Sequence, residues 1–128
     1  MLSAEERNWL WGTIGRQAAG KLSPLAGSYF ANVTKNGDLS DDMLGWRVRA
    51  ALRAGQWKEV APAINAMSDT AQQEPTWVYW KARALAVAGG DERRAQAREL
   101  YQSIAGTRGF YEMLALEELG QRLSLIHI

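Results

Sequence analysis

Two stretches of this chain match each other at an offset of 34 residues, and that period limits what the chain can fold into. Trp46-Arg47-Val48-Arg49-Ala50-Ala51-Leu52-Arg53-Ala54-Gly55 aligns with Trp80-Lys81-Ala82-Arg83-Ala84-Leu85-Ala86-Val87-Ala88-Gly89. Trp, a basic residue, Arg, two Ala and Gly recur in register, and each stretch leads through a short turn into a second amphipathic segment. One helical hairpin cannot bury both of its apolar stripes. Hairpins repeated at a fixed period bury them by stacking. Ala50, Ala51, Ala84 and Ala88 allow close helix approach, and the tryptophans fill the wider gaps.

Glycine and proline divide the rest into helix-sized pieces. The first runs from Ser3 to Gly20, opened by the capping pair Ser3 and Glu6, with Leu10, Ile14 and Ala18 at i+4 spacing. The second begins near Pro24 and carries Ala26, Tyr29, Phe30 and Val33 on one face; Asn36-Gly37-Asp38 ends it. The third spans Ser40 to Ala54, with Asp41 and Asp42 at its positive end, Arg53 at its negative end and Gly55 as its stop. The fourth starts near Trp57, where Pro62 predicts a kink or a late start. Ser68 to Glu74 reads as a loop with one helical turn. The fifth opens at Pro75 and stops at Gly89-Gly90, with Trp77, Trp80, Ala84 and Val87 on one face. The sixth runs from Asp91 to Ala105, and the seventh from Phe110 to Leu119 with Gly120 as its cap. No segment alternates like a strand. The expected fold is all-α: about seven helices in hairpins that resemble tetratricopeptide units, stacked in an α-superhelix.

Composition narrows the chemistry. The chain has 15 Lys and Arg against 14 Asp and Glu, a balance that argues against a nucleic-acid partner. It has no cysteine, and its single histidine is His127, which leaves no material for a thiolate or histidine metal site or a Ser-His-Asp triad. No cofactor is expected. No run is long and apolar enough to span a bilayer, and Met1 to Arg7 lacks the apolar core of a signal peptide. The adjacent acids Asp41-Asp42 and Glu117-Glu118 invite comparison with glycosidase carboxylates, but acids at such helical positions are ordinarily solvated surface. Gly89-Gly90 lacks the spacing and strand context of a phosphate loop.

Two features admit a functional reading beside a structural one. The six tryptophans could stack on sugars, or could be core residues, since Trp9 or Trp11, Trp46, Trp57, Trp77 and Trp80 lie on or beside apolar stripes. Arg47, Arg49 and Arg53 with Lys81 and Arg83 could line a binding face, or form a solvated charged one. The candidate binding residues are therefore Trp46, Arg49, Arg53, Trp80 and Arg83. No catalytic or metal residue is nominated.

Three runs resemble a known family. Leu44 to Trp57, Glu74 to Leu85 and Phe110 to Gly120 are similar, in the same order, to runs in the soluble lytic murein transglycosylases, and the resemblance covers approximately Leu2 to Arg122. It implies that residues 1–122 are a segment of the non-catalytic superhelical domain of a periplasmic enzyme. Such enzymes cleave murein glycan strands to 1,6-anhydro-muramyl ends with a lysozyme-like domain. The implied partners are that catalytic domain and peptidoglycan glycan. The family's catalytic Glu-Ser pair and its Gly-Leu-Met-Gln run are not in this sequence, so no catalytic residue carries over. Glu112 stands where the family usually has glycine. Residues 123–128, Leu-Ser-Leu-Ile-His-Ile, look like a translated sequencing adapter, a non-native tail on a fragment. The alternative function is a free-standing helical-repeat adaptor for a protein partner.

Overall fold

The computed structural model describes the backbone of residues 1–127 and the side chains of residues 1–120. The expected tail, 123–128, therefore lies outside the described side chains. The described residues are all-α, and they fall into two compact units, one from Met1 to Ala71 and one from Gln72 onward.

The first unit contains α1 (Ala4–Gly20), α2 (Ala26–Phe30), α3 (Asp41–Ala54), α4 (Val60–Asn65) and most of the single-turn α5 (Asp69–Gln72). The Ser3 capping box forms as expected. Glu6 N–H donates to Ser3 Oγ at 3.1 Å, and Ser3 N–H donates to Glu6 Oε1 at 3.0 Å. The bond from the Ser3 N–H, helped by the Ser3 hydroxyl, holds the Glu6 carboxyl below its ordinary pKa.

The buried face of α1 is not the expected one. Leu10 and Ile14 are exposed; Asn8, Gly12, Gly15 and Ala19 are buried instead. The cause is close packing. A Cβ on Gly15 would lie 2.8 Å from the Phe30 ring, and one on Gly12 would lie 2.6 Å from Leu39 Cδ2. Glycine lets α2 and the start of α3 approach α1 where any side chain would hold them off. Asn8 closes this face by polar bonds. Its Nδ2 donates to Thr34 Oγ1 and Asp38 Oδ2, and its Oδ1 accepts from the Thr34 N–H. A buried amide must find such partners to be tolerated.

The expected face of α2 is largely correct, since Ala26, Phe30 and Val33 are buried. Ser40 caps α3 by accepting from the Met43 N–H at 3.2 Å. Asp41 does more than complement the helix dipole: its carboxylate accepts from the Ser68 N–H at 2.8 Å and the Ser68 hydroxyl at 2.6 Å, tying the lead into α5 to the start of α3. Pro62 marks a late start. Trp57–Glu59 is a 3₁₀ turn, and α4 begins at Val60, with Pro62 in its first turn where no amide donor is needed. Phe30, Leu44, Val48, Val60 and Ile64 are the largest fully buried side chains among the described residues, and all lie in this unit.

The second unit contains α6 (Pro75–Ala88), α7 (Asp91–Ile104) and α8 (Phe110–His127). Its core is Tyr79, Ala82, Ala97, Tyr101 and Ala115, with Trp80, Leu100, Ile104 and Tyr111 packed around them. Val87 falls outside it and is exposed, although the spacing placed it with Trp77 and Ala84. Gly120 does not cap the last helix, because α8 continues to His127. A Cβ there would meet nothing within 4 Å, so the glycine costs only propensity, about 1 kcal/mol. Eight α-helices are thus present among the described residues, the eighth being the single turn α5.

The repeat is reproduced in space. α3 and α6 are each 14 residues long, and both their ends differ by 34 in number. Met43, Leu44, Gly45 and Val48 are buried in one, and Trp77, Val78, Tyr79 and Ala82 at the same positions in the other. Each is followed by a glycine with positive φ, Gly55 at 72° and Gly89 at 80°.

Candidate functional site

The five candidate residues divide between the units. In the first unit, Trp46, Arg49 and Arg53 lie at i, i+3 and i+7 on α3 and therefore share one face. That face forms one wall of a groove of about 640 Å³. The opposite wall comes from the end of α1, the turn Leu22-Ser23-Pro24, and α2 from Ala26 to Ser28. Ala19, Ala26, Gly27, Ala50 and Ala54 leave room between the walls, while Gln56 and Glu59 complete the lining.

The arginines around this groove have distinct surroundings. Arg16 Nε donates to Asp42 Oδ2 at 2.9 Å. Arg47, largely buried, donates to Asn36 Oδ1 at 2.7 Å and to Glu59 Oε2 at 3.1 Å. Arg49 and Arg53 are exposed on the groove wall. The Arg49 guanidinium lies over the Trp46 ring, 4.6 Å from its centroid, and that of Arg16 lies 5.3 Å from the same centroid. Such cation–π contacts restrain a flexible side chain at modest energy, about 0.5–1 kcal/mol when exposed. Arg53 Nη2 reaches the Leu22 carbonyl at 3.5 Å.

Leu22 is the one described non-glycine residue with positive φ, at 60°. The local hydrogen bonds explain how it is held: Leu22 N–H donates to Ala19 O and Ser23 N–H to Ala18 O. This is the Schellman arrangement, whose left-handed position ordinarily belongs to glycine. A leucine there costs about 1–2 kcal/mol. α3 ends with the same pair of bonds, Gly55 N–H to Leu52 O and Gln56 N–H to Ala51 O, with a glycine in the left-handed place.

In the second unit, Trp80 and Arg83 face other side chains. Trp80 Nε1 donates to Tyr111 Oη at 3.4 Å, and its ring meets those of Tyr79 and Tyr111 edge-on. Arg83 Nη1 donates to Tyr79 Oη at 3.1 Å and to Glu118 Oε1 at 3.3 Å. Burial raises the Tyr79 pKa, and Arg83 pulls it the other way. For Arg83, burial opposes the charge, but Tyr79 and Glu118 outweigh it and the pKa is raised. Glu118, one of the adjacent acids in the sequence, is half-buried in this network.

Of the tryptophans, Trp77 is buried, Trp11, Trp46, Trp57 and Trp80 are partly so, and Trp9 is half exposed. Sequence reasoning missed Leu22 and Asn8. Leu22 carried no signal, because a leucine does not announce a left-handed turn, and Asn8 sat among exposed residues near the start of α1.

Fold and groove together define a helical-hairpin protein with a cleft whose cationic side chains come from one helix. Among the described residues there is no group of three His, Cys, Asp or Glu placed to hold a metal, and no helix long and apolar enough to cross a membrane. No family model matches the chain. Among curated proteins, the soluble lytic murein transglycosylase of Salmonella typhimurium is 31% identical over 86 residues, which is 67% of this chain and 13% of that protein. The soluble lytic murein transglycosylases of Escherichia coli K12 and O157:H7 are each 30% identical over 86 residues, with the same coverage. The chain is related to the soluble lytic murein transglycosylases and spans about 13% of the length of these relatives.

Proposed function

We propose that this chain is a non-catalytic segment of the superhelical domain of a periplasmic murein lytic transglycosylase. In this reading residues 1–122 scaffold a catalytic domain carried elsewhere in the larger protein, whose activity is cleavage of murein glycan to 1,6-anhydro-muramyl ends. The observation that carries the reading is 30–31% identity to three murein transglycosylases over two thirds of the chain. The tetratricopeptide-like hairpins would continue as a superhelix, since two helices of one length, one set of buried positions and one glycine stop recur at a fixed period. The groove beside Trp46, Arg49 and Arg53 is the part of the segment suited to hold murein.

The test is sedimentation with purified murein sacculi. The chain should co-sediment with sacculi and release no anhydro-muropeptides. Failure to co-sediment would remove the murein-holding role, and measured turnover by this chain would overturn its non-catalytic role. A helical-repeat adaptor would instead leave sacculi untouched and retain a protein partner.

A further inference from the structure

We propose that the groove of the first unit is a carboxylate receptor, in which Arg49 and Arg53 take the anion and Leu22 packs against the small apolar group beside it. The proposal rests on the murein reading only for the source of the carboxylate.

Charge is the first argument. The groove lining contains two guanidinium groups, Arg49 and Arg53, and one carboxylate, Glu59, which is already bonded to Arg47 at 3.1 Å. The lining is therefore cationic around the two arginines, one helical turn apart on the same wall. A guanidinium presents a planar fork of donors that matches a carboxylate.

The second argument concerns Trp46. Its ring already faces Arg49 at 4.6 Å and Arg16 at 5.3 Å, so it is a poor open platform for a sugar face. Its effect is to hold the Arg49 guanidinium at the groove wall. Restraining that side chain before binding lowers the entropy lost when a ligand arrives. Trp46 is thus a positioning residue, and the group that is recognised is the anion rather than the neutral ring.

Leu22 supplies the third argument. An exposed leucine keeps a left-handed backbone conformation at the groove wall, and its carbonyl is held by Arg53. The Schellman bonds and Arg53 hold that turn, which places the leucine at the groove wall. An apolar side chain beside two guanidiniums fits a ligand whose carboxylate adjoins a methyl group. The cavity volume of about 640 Å³ is that of a small-molecule site. In murein, two sources offer this chemistry: the lactyl group of muramic acid where no stem peptide is attached, and the C-terminal alanine of a stem peptide.

The experiment titrates the intact chain with four probes, followed by amide and indole chemical shifts: N-acetylmuramic acid, its carboxamide, a stem tetrapeptide ending in alanine and chitotetraose. At least one carboxylate probe should shift groove residues and bind at least 10-fold more tightly than the carboxamide or chitotetraose, with affinity falling as salt is added. Whichever of the two binds identifies the source. Arg49→Gln and Arg53→Gln should each weaken it about 10-fold while the circular dichroism stays unchanged. Leu22→Gly should raise the melting temperature and still weaken binding, a combination that a purely structural leucine would not give. Equal binding of the carboxamide or chitotetraose, or no shift with either carboxylate, overturns the receptor. If the chain co-sediments with sacculi but is indifferent to both arginine variants, the receptor fails and the general murein reading survives. If the carboxylate probes bind and sacculi do not, the receptor stands and that reading fails.

Discussion

Helices α3 and α6 are built to one plan and put the same residue to opposite uses. Both are 14 residues long, bury the same first positions and stop at a glycine with positive φ. Arg49 and Arg83 occupy equivalent places. Arg49 is exposed and lies over Trp46 at a groove wall, whereas Arg83 is drawn into a network with Tyr79 and Glu118. The difference comes from what lies opposite. In the second unit, α8 brings Glu118 to Arg83. In the first, the facing wall is a turn and a five-residue helix, which leaves a cavity. A repeat therefore specifies where a side chain starts, and the neighbouring element decides what it meets.

α1 extends the comparison. It ends at Gly20, again 34 residues before Ala54, yet Leu10, in register with Leu44, is 48% exposed while Leu44 is 0% exposed. The largest expected effect tests this contrast. Leu44→Ala should cost about 2–5 kcal/mol, because it empties a fully packed position. Leu10→Ala should cost less than about 1 kcal/mol. Urea denaturation of both variants measures this, and similar losses would break the contrast.

Next come the glycines. Gly15→Ala places a methyl 2.8 Å from the Phe30 ring, and despite its better helix propensity it should destabilise by about 1–3 kcal/mol. Gly20→Ala has only Arg16 Nη1 nearby, at 3.8 Å, and should be neutral or stabilising by up to about 1 kcal/mol. Thermal melts of the pair should move in different directions.

The equivalent arginines sharpen the comparison further. Arg83→Gln loses a partly exposed ion pair and a bond to Tyr79, at a cost of about 1 kcal/mol. Arg49→Gln should change stability by no more than about 0.5 kcal/mol. A larger loss for Arg49→Gln in chemical denaturation would mean that its role is structural.

The smallest effect is in alkali. Burial raises the Tyr79 pKa above the ordinary value of 10.0, so the folded chain holds this proton more tightly than the unfolded one. Its contribution is complete below pH 10.0 and is lost as the pH rises through the higher folded value. Tyr79→Phe should flatten that part of the stability–pH profile, as measured by denaturation across the same range.

Much of the helical order was legible because its signals are local. Capping at Ser3 and Ser40, Pro75 at a first turn, and stops at Gly55 and Gly89 act within a few residues of themselves. The candidate site was half legible. Trp46, Arg49 and Arg53 share a face by spacing alone. Nothing local distinguished them from Trp80 and Arg83, since the distinction lies in Glu118, Tyr79 and Tyr111 brought from elsewhere.

What the amino-acid sequence by itself determined is most of the helices, the stops of α3 and α6 and the 34-residue period, because hydrogen bonding within a helix and its caps is settled by near neighbours. Only the tertiary structure decided which face of α1 is buried, since the glycine face wins through contacts with Phe30, Leu39 and Met43 that are remote in sequence. Only the tertiary structure placed Leu22 and two arginines around one cavity. A groove exists between elements, and its shape depends on how far apart packing holds them.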